Sequence, residues 1–239
     1  ANHTHLDLNH ISVGYGDTML AVELGSRPYP ADYFSQKRNS YYEISTAGHN
    51  TVLIGGKGQV SGRQGKLLGP LKGDGYEALT GVADGAYEVS TTRVRRHVVF
   101  VDKRFWVLLD EIQTPEMEPV ELRFHTYGTA TKITSRHWVF EQGQADLDIL
   151  TPNTEVTSGL ETPAGWIKPV TVLSMKAEAP AREHTLITVL QPRAKESAAL
   201  DKVQAQKSEE QLVVTVESTE VIFEQTADGW RIKNVRLKK

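Results

Sequence analysis

The chain has 239 residues, 39% of them hydrophobic and 24% charged, with a formal net charge of -3 and a pI near 6.3. That size is enough to bury a core in one large domain or two smaller ones, while the weak acidity offers no general attraction to nucleic acid or to an anionic membrane. The longest apolar runs, such as 105–109, are far too short to cross a bilayer, and the absence of cysteine excludes disulfides and thiolate metal sites, so any transition metal must be held by His, Asp or Glu.

The sequence opens on Ala, not Met, and its most chemically loaded stretch, His3-Thr4-His5-Leu6-Asp7, follows at once. A natural domain rarely starts on its own functional motif, so a fragment or a processed chain is expected. The opening residues do not have the charged-then-apolar layout of a signal peptide. In a strand, alternate side chains share a face, which would turn His3, His5 and Asp7 the same way. Two imidazoles at that spacing can serve one metal, or one can bind metal while its neighbour faces a substrate; a surface polar pair gives the same pattern.

Beyond this motif, period-two alternation dominates. Strands are expected over 10–14, 19–24, 51–54, 87–101, 104–112, 120–127 and 137–141. They continue over 147–150, 170–176, 184–191, 212–217, 220–225 and 230–237. Turn residues separate them, as at Asp102-Lys103, Gln142-Gly143, Pro152-Asn153 and Asp228-Gly229. Residues 55–86 are rich in glycine with few apolar residues, which predicts long loops of the kind that carry binding sites. Residues 194–211 read as a helix or a solvated polar linker, with a sub-boundary near 193–211 before the last strands. Closely spaced strands without intervening helices predict an all-β fold, an antiparallel, multi-stranded β-sandwich with few or no helices.

Two further stretches add to the opening histidines. Residues 19–25 form an apolar strand ending in Glu23, and a carboxylate at the end of a hydrophobic strand needs a partner because burying it alone is costly. His49 and Asn50 then stand at the entrance to the strand 51–54. Glu23 could equally face solvent and His49 could cap a turn. Taken together, histidines and a carboxylate from three segments form a common zinc complement with open positions.

The order of HxHxD, a strand ending in an acidic residue followed by Gly and Tyr, and Thr46-Ala47-Gly48-His49-Asn50-Thr51 resembles the heparinase II/III-type polysaccharide lyases, with related alginate lyases sharing it. The resemblance continues through Arg93-Val94-Arg95-Arg96-His97 and the aromatic hairpin strand from Phe105 to Asp110. It implies a supersandwich-like β-domain joined to an N-terminal helical toroid, cleaving an acidic, uronic-acid polysaccharide by β-elimination in the bacterial periplasm or outside the cell. It also implies that His3 lies near the sugar carboxylate and that His5, Glu23 and His49 hold zinc in a largely structural role. Tyr29 takes the place of a tyrosine near substrate, with Tyr41 and Tyr42 as alternatives. Three departures stand out: Glu23 replaces the usual Asp, Ile44 stands where many members have Arg, and no stretch of these 239 residues reads as the helical toroid.

Of the remaining polar candidates, Lys37-Arg38 beside Tyr33, Phe34, Tyr41 and Tyr42 suits sugar contact, since aromatics stack on sugar faces and cations pair with carboxylates. Arg38, Tyr42 and Asn50 are therefore the candidate substrate-binding residues. Arg93 and Arg95 share one strand face, either a solvated one or one for an acidic polymer, with Arg96 on the other. His97, His125, His137 and His184 read as hydrogen-bonded sheet residues, and the four tryptophans as packing. Two function classes follow: the sandwich part of a lyase, inactive without its toroid, or a non-catalytic carbohydrate-binding or structural module. A metal-dependent hydrolase of the HxH barrel type would need alternating strands and helices, which this chain lacks.

Overall fold

Alternating apolar and polar residues resolve into four antiparallel sheets in the computed structural model, which describes residues 3–152 and 156–237. The short strands β1 (Val13–Tyr15) and β2 (Thr18–Ala21) pair as a ribbon. The largest sheet has eight strands, in spatial order β4 (Lys66–Gly73), β5 (Tyr76–Val82), β6 (Arg93–Val101), β7 (Phe105–Glu118), β14 (Ala181–Ala194), β11 (Ala145–Leu150), β10 (His137–Gln142) and β9 (Thr129–Thr134). A four-stranded sheet orders β12 (Val156–Glu161), β13 (Thr171–Ala177), β8 (Val120–Thr126) and β3 (Val52–Ile54). The last sheet is a meander of β15 (Val203–Lys207), β16 (Gln211–Val216), β17 (Thr219–Thr226) and β18 (Gly229–Leu237).

The eight-stranded sheet is the middle layer, and β7 shows why. Its Leu108 and Ile112 pack with Leu122 and Phe124 of β8 and Leu173 and Met175 of β13. Its Phe105, Val107 and Leu109 face the other way and pack with Leu212 and Val214 of β16 and Phe223 of β17. A strand buried on both faces reads as a nearly continuous apolar run, which is what the stretch 105–109 is. Each fully buried side chain of this size contributes ~1.5–3 kcal/mol relative to exposure, so two such interfaces hold three layers together. Helix is confined, among the described residues, to two single turns, Arg38–Ser40 and Thr46–Gly48, and no helix is long and apolar enough to cross a membrane.

Two sequence expectations are corrected. The glycine-rich stretch 55–86 contains the β4–β5 hairpin, which forms one edge of the eight-stranded sheet. Its glycines serve local geometry: Gly75 takes φ +71° at the hairpin turn, and a Cβ on Gly81 would collide with the Asn9 side chain at 2.2 Å. The polar stretch 194–211 is not a helix, since its residues 203–207 form β15, pairing residue by residue with β16. Asn153, expected in a turn, lies outside the described residues.

Candidate metal and substrate site

The N-terminal segment is held in irregular form. Leu6 N–H donates to Ile44 O at 2.8 Å, and Leu8 N–H donates to Gln59 Oε1 at 2.9 Å. The Leu8 carbonyl accepts from Gln59 Nε2 at 2.9 Å and from Thr51 Oγ1 at 3.1 Å. The segment is not a strand, because the Ile44 carbonyl and the Gln59 and Thr51 side chains, rather than a paired strand, satisfy this backbone. Its alternating face is absent too. His3 turns to an aromatic cluster, His5 turns to His49, and Asp7 is exposed.

His5, Glu23 and His49 do converge, with one ligand atom from each lying within 4.8 Å of the others. His49 is fully buried; its Nδ1 lies 3.1 Å from Glu23 Oε2, and its Nε2 has no hydrogen-bond partner among the described residues. Glu23 reaches in from the solvent side, where Gly25 N–H donates to its Oε1 at 3.1 Å. Burial alone would raise the Glu23 carboxyl; the hydrogen bond from His49 and the histidines around it outweigh burial and hold it below the usual carboxylate range. Burial, then the neighbouring His49, lowers the pKa of His5, so it too keeps a lone pair. A donor set of two imidazoles and one carboxylate, with a buried ring nitrogen lacking a partner among the described residues, fits a zinc-like cation.

Behind the cluster, Asn50 is a hub. Its Nδ2 donates to Ile11 O at 2.9 Å and to Val22 O at 3.0 Å. Its Oδ1 accepts from His125 N–H at 2.8 Å and from His125 Nδ1 at 2.9 Å. Both amide protons and both lone pairs are thereby used. With its proton on Nδ1, His125 accepts the Tyr42 hydroxyl at Nε2, 2.8 Å away, and burial drives its pKa down to about 3. Arg96 completes the brace: it grips Asp110 with Nε and Nη2 at 2.7 and 3.0 Å, while Nη1 donates to the carbonyls of Asn9 and Asn50 at 2.7 Å each. Fully buried Asn50 thus ties the loop that carries His49 to the sheets, which corrects its expected role in contacting sugar.

The exposed part of the site is aromatic. The His3 ring lies 5.1 Å from Phe34 and 6.1 Å from Tyr29, and Tyr29, 52% exposed, stacks on Tyr33 at 4.6 Å. Arg38, by contrast, is only 7% exposed. Its guanidinium lies 5.0 Å from the Tyr33 ring and 5.2 Å from Phe34, and it donates to Thr4 O at 3.1 Å. It lies against the platform, with Nε and Nη1 lacking a hydrogen-bond partner among the described residues. The Tyr41 hydroxyl donates to Asp32 Oδ1 at 2.5 Å, which raises its pKa, and burial raises that of Tyr42. Both are thus held as donors. No hydrogen bond to another described residue occupies the Tyr29 hydroxyl.

Sequence reasoning overlooked His10, Arg27 and Glu43 in this region, and read His125 as a hydrogen-bonded sheet residue, which it is, without linking it to the site. Arg27 Nε donates to buried Glu43 at 2.6 Å, and its guanidinium lies 5.1 Å from the Tyr41 ring and 5.4 Å from Trp166. His10 directly follows the HxHxD motif, a signal that was there to read; His125 sits alone in a strand and gives none. Arg93 and Arg95 are partly exposed and ion-paired, Arg93 with Glu111 at 3.0 Å and Arg95 with Asp84 at 3.1 Å.

Residues 1–232 match the protein family described as heparinase II/III-like, C-terminal. No curated protein matches the sequence. Among solved structures, heparinase III superposes with a TM-score of 0.74 at 19% identity, covering 92% of this chain and 36% of that one. The heparan sulfate lyase HepC from Pedobacter heparinus gives a TM-score of 0.70 at 12% identity, covering 99% of this chain and 38% of that one. At such identities the likeness is one of fold, and the chain spans little more than a third of either relative.

Proposed function

The chain belongs to the heparinase II/III-like family through that C-terminal match, and from this premise we propose that it is the sandwich part of a polysaccharide lyase. The substrate is a uronic-acid polymer, alginate or heparin/heparan-type, cleaved by β-elimination in the periplasm or outside the cell. The observation that carries this reading is the placement of exposed His3 and Tyr29 on an aromatic platform beside the His5–Glu23–His49 cluster. Removing the proton at C5 of a uronate requires the sugar carboxylate to be neutralised, so that the developing enolate-like charge is stabilised. His3 is placed to donate a hydrogen bond for that purpose. Tyr29 would be the tyrosine that exchanges the proton, acting as base and then acid.

His5, Glu23 and His49 would hold zinc. When bound, the ion supplies a fixed positive charge that joins three chain segments. His5 then anchors the segment that presents His3, two residues away. The helical toroid of full-length lyases is the intramolecular partner that would close the other wall of the cleft.

The test compares this chain with the complete protein on uronate polymers, following the ultraviolet absorbance of unsaturated product. The complete protein is expected to release product, its His3→Ala variant to lose most of that activity, and the chain alone to release almost none. Vigorous turnover by the chain alone would overturn the claim that half the catalytic set lies elsewhere. The exposed Tyr29–Phe34 platform also favours a second reading, a carbohydrate-binding module, which predicts polymer binding with no unsaturated product from either form. Metal analysis is independent of both: one zinc per chain, lost in His5→Ala and His49→Ala, is expected, and a metal-free protein of unchanged stability sinks the zinc assignment.

A further inference from the structure

His10 stands against the metal cluster, its ring 5.3 Å from that of His49 and its Nε2 3.3 Å from Glu23 Oε2. By distance alone it looks like a fourth ligand. Its other nitrogen decides otherwise. The backbone N–H of Asn50 points at His10 Nδ1 from 2.9 Å. A backbone N–H can only donate, so Nδ1 must keep its lone pair, and the single proton of the neutral ring is placed on Nε2. That proton is shared between Ser12 Oγ at 2.8 Å and the Glu23 carboxylate. Coordination through Nε2 would drive the proton onto Nδ1, directly against the Asn50 N–H.

Asn50 cannot turn away to make room. Its side chain and its carbonyl are fixed by four other segments, through Ile11, Val22, His125 and Arg96. Glu23, meanwhile, needs holding: its side chain is 38% exposed and reaches the cluster from a short apolar segment after β2. Gly25 N–H fixes one carboxylate oxygen, leaving the other to be placed between His49 and His10.

We propose that His10 is a positioning residue of the metal site, which orients the Glu23 carboxylate through an N–H fixed by the Asn50 backbone and is never itself a ligand. This rests on the zinc reading of His5, Glu23 and His49. Carboxylate-orienting partners of this kind characteristically change metal affinity about 10–100-fold without changing the number of ions bound.

The experiment strips the purified chain of metal and titrates zinc(II) against a chromophoric chelator. It compares wild type, His10→Ala, His10→Gln and His49→Ala, and records cobalt(II) visible spectra and metal-free melting curves for each. Expected are one zinc per chain in wild type and both His10 variants, with affinity about 10–100-fold weaker in His10→Ala. His10→Gln, whose amide offers a donor at similar reach, should recover most of that loss, and the cobalt bands of His10→Ala should keep their positions. Unchanged zinc affinity in His10→Ala would remove the positioning role. Shifted cobalt bands, or a loss as deep as that of His49→Ala, would make His10 a ligand and overturn the proposal. Equal affinity losses in both His10 variants, tracking equal losses of metal-free stability, would reduce His10 to packing and overturn it too. Absence of zinc binding by the wild type would overturn the metal reading and this proposal together, whereas the other adverse outcomes leave the metal reading standing.

Discussion

The two ends of the eight-stranded sheet's neighbourhood are built by opposite means. Where it meets the C-terminal meander, regular strands bring apolar alternation together: Leu109, Val107 and Val99 on one side, Leu212, Val214 and Phe223 on the other. At the histidine site, short strands and irregular loops meet around one amide, and the organising contacts are hydrogen bonds between residues 28 to 75 positions apart. The first region tolerates change gradually, because dispersion and burial are spread over many atoms. The second is nearly all-or-none, because its buried donors and acceptors are paired within the protein and losing one partner leaves a buried polar group unsatisfied.

The largest expected effect follows from that contrast. Asn50→Asp replaces two donated hydrogen bonds by a carboxylate facing two carbonyls, and should cost about 4 kcal/mol or more in denaturant unfolding while abolishing metal binding. A loss under about 1 kcal/mol would show that the hub is dispensable. Leu109→Ala, in the apolar interface, should cost about 3 kcal/mol through its cavity, yet leave zinc stoichiometry untouched. The comparison fails if Leu109→Ala loses the metal as well.

Acid sharpens the contrast further. His125 is neutral in the fold down to about pH 3, whereas the unfolded chain takes up its proton near 6.5. Between those values the unfolded state binds the extra proton, so stability should fall as pH drops, by about 1.4 kcal/mol per pH unit for this group. His125→Gln should show a shallower acid dependence by about one proton, measured as the slope of unfolding free energy against pH. An unchanged slope would mean that His125 is charged in the fold. The smallest effect on stability is expected at Tyr29, where Tyr29→Phe should stay within about 0.5 kcal/mol of wild type. The same variant of the complete protein should lose about 10²-fold or more in turnover if the phenol exchanges the proton.

Legibility in the sequence followed the same divide. The strands 120–127, 184–191 and 220–225 were readable because alternation is local, and a sheet buried on one or both faces writes its burial into every second residue. His5, Glu23 and His49 were readable as residue types in a meaningful order. Their supports were not: nothing beside His125 in the chain indicates Asn50, and nothing beside Arg96 indicates the carbonyl of Asn9. Asn50 was misread because a polar residue near a motif suggests surface contact, when burial had already committed its amide to the protein. The β4–β5 hairpin escaped because glycine and exposure erase the alternation that marks a strand.

That hairpin carries a liability of its own. β4 closes the eight-stranded sheet at one end, every residue in it is exposed, and Leu67, Leu68 and Leu71 project from it. A row of free backbone groups beside leucines is a template on which another chain could lay down a ninth strand. Pro70 removes one N–H from that row, and the register slips between Leu68 and Leu71, so the template is broken at its middle. Lys66 sets a charge near one end, and Lys72, paired with Glu77 at 3.0 Å, sets a polar pair near the other. The strand that looks least like a strand in the sequence is also the one whose irregularity keeps the sheet finite.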